Sequence, residues 1–251
     1  MITDSFDTQS RPLITPTDIY EYCGTTLETL IVVYSGKLID ILLEKELVEL
    51  IDTPHRPGST HEKISVYRLK GTGIGVYCSP IGSAIAATIM MEMNAVTRAT
   101  KFVAYGSCGA LVKLEEGKVI VPDYAYRDEG MSYHYAPAKD YIQVRNAGAV
   151  ARILGEAGVP YVKGKTWSTD AFYMETVNQK IQRIKEGCIV VEMECAGLQA
   201  VCDYYGWELY QFLYTADSLE GEAWLQRTLG DLELSDRVKS FSLAVEIAKN
   251  I

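Results

Sequence analysis

The sequence predicts one α/β domain: a single, mixed, largely parallel central β-sheet flanked by helices. Three observations lead there. Short apolar runs alternate along the chain with stretches of helical periodicity, the pattern of strands joined by crossover helices. No repeat, low-complexity segment or linker interrupts this alternation. Residues 1–251 therefore read as one domain, with 1–28 as an N-terminal extension of it. The composition, 48% hydrophobic and 23% charged, is that of a globular chain with enough apolar side chains for one large core.

The elements follow in order. Residues 29–34 (TLIVVY) read as a short buried strand, and 37–50 carry apolar residues at helical spacing with Lys and Glu between them. A strand is expected at 73–79, then an Ala- and Met-rich helix from Gly82 to Arg98. KFVAY at 101–105 is a strand that stops at Gly106, and VIVP at 119–122 is another, closed by Pro122. A helix at 145–157 ends near Gly158, 161–167 is extended, and a helix at 175–186 ends with Gly187 as its C-cap. CIVVEM at 188–193 is a buried strand, followed by a helix at 196–205 and a strand at 208–217. The tail from Ser235 to Lys249 is an amphipathic helix with Ser235 as its N-cap.

Charge and cysteine usage narrow the function. A formal charge of −9 disfavours nucleic-acid binding, which needs clustered Lys and Arg. No run approaches the roughly 18 apolar residues of a membrane span, and the first residues lack the pattern of a signal peptide. The six cysteines form no CxxC pair and read as free thiols of a cytoplasmic protein. The three histidines are too scattered for a zinc site, and no metal or cofactor is expected. Gly71, Gly73 and Gly75 fail the dinucleotide pattern, because Val76 stands where the third glycine belongs and a strand follows. Gly164-Lys165-Thr166 lacks the upstream glycine of a phosphate-binding P-loop.

In α/β folds, ligands bind at the carboxyl ends of strands. Four such places carry chemistry here. Gly106-Ser107-Cys108-Gly109 can turn the backbone toward an anion, or simply end a strand. Glu192-Met193-Glu194 ends an apolar strand; alternation puts both carboxylates on one face, where they can accept hydroxyls of a vicinal diol or sit at a helix N-terminus. Asp217 can hold a raised pKa and act as a general acid, or cap a helix. Phe172 can stack on a base or pack in the core.

Taken in this order, the segments YGSCGAL (105–111), RDEGMSYHYAP (127–137), STDAFY (168–173), VVEMECAGL (190–198) and TAD (215–217) resemble the nucleoside phosphorylase-I family of purine nucleoside phosphorylases, uridine phosphorylases and related nucleosidases. The resemblance runs from about Leu30 to the C-terminus. It implies that Glu194 binds the ribose hydroxyls, Met193 packs on the sugar, Glu192 supports that end, Phe172 lies against the base, and Asp217 protonates the leaving base. Gly106 and Ser107 would hold phosphate. It implies a purine-type nucleoside and inorganic phosphate as co-substrates, and a homo-oligomer, either a dimer or a trimer of dimers. Two departures stand out: Ala104 and Ile39 occupy positions where family arginines are expected. Lys37, Arg56 or Arg127 are the replacement cations, and His55-Arg56 resembles a pair that a neighbouring subunit contributes in uridine phosphorylases. Phosphorolysis, hydrolysis, uridine phosphorylase-like activity and non-catalytic nucleoside binding all stay open at this level.

Overall fold

The computed structural model describes residues 1–57 and 59–251. Ten strands form one mixed sheet among them. The strands are β1 (Thr29–Val33), β2 (Val48–Asp52), β3 (Val66–Leu69), β4 (Ile74–Cys78), β5 (Lys101–Ala110), β6 (Val119–Asp128), β7 (Tyr141–Gln143), β8 (Tyr161–Thr169), β9 (Cys188–Glu192) and β10 (Glu208–Ser218). Their order is β10-β6-β8-β9-β5-β1-β4-β3-β2, with β7 on the edge beside β6. The longest ladders, β10 with β5 and β6 with β8, are parallel. Because β10 pairs with both β5 and β6, strands β5, β10, β6, β8 and β9 close on themselves, and β1, β4, β3 and β2 extend the sheet outward. Within it β5 and β9 run antiparallel and meet near their carboxyl ends, with Gly109 opposite Val191.

Among the described residues seven α-helices accompany the sheet: α1 (Gly36–Glu44), α2 (Ser83–Thr97), α3 (Ser132–Tyr135), α4 (Ala147–Glu156), α5 (Val177–Lys185), α6 (Cys195–Tyr205) and α7 (Leu234–Lys249). Leu38, Val150, Ile153, Phe241 and Ile247 from α1, α4 and α7 pack with Ile31, Val103 and Phe212 of the sheet. Ile89, Met90 and Met93 of α2 join Leu198 and Val201 of α6 over Leu30 and Phe102. All five residues of β1 are buried, as expected of a parallel strand covered on both faces. The single α/β domain expected from the sequence is the architecture observed. Among the described residues, no helix is long and apolar enough to cross a membrane.

Several boundaries differ from the sequence reading, and the reasons bear on the site. The expected helix at 37–50 ends at Glu44. Glu46 adopts φ +52°, Glu46 N–H reaches the Leu43 carbonyl and Leu47 N–H reaches the Leu42 carbonyl. This is a Schellman turn without glycine, and it returns the chain into β2. Strand β5 does not stop at Gly106: it runs to Ala110, because β10 pairs with it from Lys101 onward. Its glycines serve close approach instead of turning. A Cβ on Gly109 would lie 2.6 Å from Leu219 Cδ1 and 3.3 Å from Asp217 Oδ2. Pro122 does not close β6, since a register shift between Pro122 and Ala125 absorbs the missing N–H. Helix α7 begins at Leu234 with Glu233 as its cap, two residues earlier than Ser235 implied.

Candidate active site

The ends of β5, β8, β9 and β10 open into a cavity of about 630 Å³. Its walls include Ser107 and Gly109 from β5, Asp170 and Phe172 after β8, Glu192, Met193 and Glu194 at the end of β9, and Asp217 from β10. The fold therefore brings Ser107, Phe172, Glu192, Met193, Glu194 and Asp217 together around one space. Among the described residues five carboxyl groups, Asp170, Glu175, Glu192, Glu194 and Asp217, line this cavity, and no cationic side chain does.

At one end the two glutamates have different tasks. Strand β9 ends at Glu192, so the alternation expected for residues 192–194 does not apply; Glu194 instead precedes α6 as its N-cap. Glu192 is saturated. Its Oε2 accepts the N–H groups of Glu194 and Cys195 at 2.8 and 2.7 Å, and its Oε1 accepts the hydroxyls of Ser168 and Thr166. It fastens β9, β8 and the start of α6 together and has little left for a ligand. Glu194 is held at a single atom: Oε1 accepts Gly82 N–H at 2.5 Å. Gly82 adopts φ +103°, a conformation that aims this N–H at the carboxylate and that side-chain-bearing residues rarely adopt. Ser83 secures the same junction by donating to the Met193 carbonyl at 2.9 Å. Burial first, then the neighbouring Glu192 charge, pushes the Glu194 carboxyl up to about 8.

At the other end Asp217 lies beside a bulge in β10, opposite Gly109. Its Oδ2 accepts the indole N–H of Trp224 at 2.8 Å. Burial raises its pKa above the usual aspartate range, and the Trp224 hydrogen bond and the nearby Arg227 charge oppose that rise. Phe172 sits on a 3-10 turn (Phe172–Met174) and is 39% exposed, with its ring edge-on to Tyr173 at 5.0 Å. It belongs to the cavity wall and not to the core.

Ser107 and Ile81 also border a second cavity of about 320 Å³. Its lining includes Gly36 and Lys37 at the start of α1, Gly106, Thr228 and Arg237 of α7, and no carboxylate. Arg237 Nη1 donates to Ser35 Oγ at 2.8 Å and its Nε to the Leu232 carbonyl at 3.0 Å. Its half-buried guanidinium has no acidic partner among the described residues. The Thr228 hydroxyl is buried without a hydrogen-bond partner. The first turn of α1 adds free N–H groups and the positive end of the helix dipole.

Of the three replacement cations read from the sequence, only Lys37 lies here. Arg56 is elsewhere, buried against Glu92 at 2.5 Å and bonded to Ser59 and to the His61 carbonyl. Within its own chain it lines neither cavity. Arg127 is spent as well: it bonds Ser132 Oγ and the carbonyls of Ala136, Pro137 and Lys139, and stacks 4.2 Å over Tyr133. Sequence reasoning missed Arg237, because an Arg on an amphipathic helix reads as a solvated face. It missed Trp224 and Glu175 for want of any local pattern.

Comparison with known proteins shows the family and the fold. Residues 28–249 match the model of the phosphorylase superfamily. The chain is 28% identical over 187 residues to a DeoD-type purine nucleoside phosphorylase of Jannaschia sp. (strain CCS1), covering 72% of this chain and 73% of that one. It is 27% identical over 169 residues to another of Aliivibrio fischeri (strain ATCC 700601 / ES114), covering 65% and 67%. Two solved structures share the fold. An AMP nucleosidase from Bacteroides thetaiotaomicron VPI-5482 has a TM-score of 0.67 over 89% of this chain and 88% of that one, at 19% identity. The futalosine hydrolase of Helicobacter pylori strain 26695 has a TM-score of 0.71 over 90% and 99%, at 16% identity. The matched segment spans every strand end that builds the cavity, and the chain belongs to the phosphorylase superfamily of glycosidic-bond-cleaving enzymes.

Proposed function

We propose that the protein is a nucleoside phosphorylase, cleaving the N-glycosidic bond of a purine-type nucleoside with inorganic phosphate to give free base and ribose 1-phosphate. One observation carries this reading: the segregation of charge between two cavities that meet at Ser107 and Ile81. The larger is acidic, lined by five carboxyl groups with Glu194 and Asp217 among them, and suits a nucleoside. The smaller holds Lys37, Arg237 and a helix N-terminus without any carboxylate, and suits an anion.

The chemistry follows from the placement. As the C1′–N bond breaks, the sugar becomes oxocarbenium-like and the base accumulates negative charge. Glu194 accepts the sugar hydroxyls and lends negative charge to that end. Asp217 delivers a proton to the departing base, and a phosphate oxygen held beside Ser107 forms the new bond to C1′. A purine needs that proton more than a good leaving group does.

The test is base release with phosphate titrated, for the wild type and Arg237→Ala. The variant should raise the phosphate KM about ten- to a hundredfold, the size of one lost charge-assisted hydrogen bond, with nucleoside KM little changed. An unchanged phosphate KM contradicts the assignment of the smaller cavity.

The same reading includes assembly of at least two chains. Ile81, Tyr173, Met174 and Trp224 stand exposed around the cavity mouth, an apolar rim that a second copy would cover. Light scattering at micromolar concentration should give at least twice the chain mass, and a monomer would count against it.

A further inference from the structure

Glu175 has no part in the chemistry above, yet it faces the same space. It follows the 3-10 turn that carries Phe172, and the next residue, Thr176, caps α5 through Gln179. Both sides of its backbone are thereby fixed. Its side chain lines the cavity with Asp217, Gly109 and Leu229. Among the described residues no donor or cation meets its carboxyl. Two cations of neighbouring segments are engaged elsewhere: Lys180 Nζ donates to the carbonyls of Leu219 and Gly221 at 2.9 and 2.8 Å, and Arg227 to the Leu114 carbonyl at 3.1 Å. Burial first, then the charge of Asp217, pushes the Glu175 carboxyl up to about 7.

A half-buried carboxyl with apolar walls and another acid for neighbours is costly unless something pairs with it. Among the described residues nothing pairs with it and it lines the cavity, so the partner to look for is a ligand group, and an acceptor calls for an N–H. Glu194 already occupies the sugar end, and Asp217, locked by Trp224, is placed to protonate the base.

On the nucleoside reading above, we infer that Glu175 reads the base: it accepts a hydrogen bond from an N–H on the six-membered ring, so the site selects 6-amino or lactam purines over purines lacking that donor. Glu175 is thus a specificity residue that touches substrate and takes no part in proton transfer.

The test is calorimetric titration of the full chain with three free bases: hypoxanthine, adenine and unsubstituted purine. All three carry an imidazole N–H, but only the first two offer a donor on the six-membered ring. No turnover or phosphate is needed, so the result does not depend on whether the enzyme uses phosphate or water. Glu175→Leu should weaken hypoxanthine and adenine about ten- to a hundredfold, and purine less than about threefold. Glu175→Gln, which keeps a carbonyl acceptor, should recover most of the loss and guards against a Leu variant that folds poorly. Equal loss for all three bases, or no loss, overturns the inference. A wild type that binds none of them overturns it too, and base release from intact nucleosides then decides separately whether the nucleoside reading stands.

Discussion

Asp217→Asn should lower kcat for inosine or adenosine by about 10²–10⁴-fold while changing KM little. The amide keeps the hydrogen bond from Trp224 and the shape of the strand end, but has no proton to give. The raised pKa of Asp217 comes from burial, so the acid form persists to higher pH than a solvated aspartate would allow. A nucleoside with an already good leaving group needs little protonation and should lose far less. The competing role, an anchor for the loop after β10, gives the opposite pattern: a lower Tm and full activity. Steady-state kinetics on both substrates, with a thermal melt, separates the two.

Glu194→Ala should cost about 1.5–3 kcal/mol of nucleoside binding, a ten- to hundredfold loss of affinity by calorimetry, because a charge-assisted acceptor for the sugar hydroxyls disappears. Unchanged affinity would remove Glu194 from the sugar site. Its titration adds a second signature. The folded pKa, about 8, lies above the ordinary glutamate value, so the folded state keeps a proton that the unfolded chain has lost. The ligand-free protein therefore loses stability as pH rises from about 4.5 to about 8, and the loss levels off above that. Nucleoside affinity runs the other way, because hydroxyls donate to the carboxylate: it should climb over the same range. Glu194→Gln, which cannot ionise, should raise the Tm of the free protein at pH 8 by several degrees and flatten both pH profiles. A variant less stable than the wild type at pH 8 would contradict this.

Much of this site was legible before any coordinates, because strand ends announce themselves. An apolar run that closes on a carboxylate marks where a strand opens to a ligand, and Ser107, Phe172, Glu194 and Asp217 do share one cavity, although β5 runs on past Gly106-Ser107 to Ala110. What the local pattern could not convey is which of two neighbouring acids is free. Glu192 and Glu194 look alike in the sequence, but the first is consumed by four hydrogen bonds from β8 and the start of α6. The cations were illegible for a related reason. Arg56 beside a histidine invites a functional reading, yet Glu92, 36 residues away, neutralises it. Arg237 looks like an ordinary surface residue of α7 until the fold sets it against Ser35, 202 positions earlier. Ala104 and Ile39 are both buried in the core, so the family arginines are not merely displaced at those positions. On the phosphorylase reading, Lys37 and Arg237 of the C-terminal helix, which line the smaller cavity, take their place. Helix ends misled where a long-range partner overrode local periodicity, as when β3 drew Val48–Asp52 into a strand.

Phosphorolysis and hydrolysis release the same base and differ in the sugar. The most direct measurement is therefore identification of the sugar product by phosphorus and proton NMR after incubation with inosine and adenosine, with and without phosphate. On the phosphorylase reading, with Lys37, Arg237 and Ser107 lining the phosphate cavity, the product is ribose 1-phosphate, formed in step with base and only when phosphate is present. Free ribose accumulating at the same rate in both reactions would show that water is the nucleophile and would contradict the phosphorylase reading.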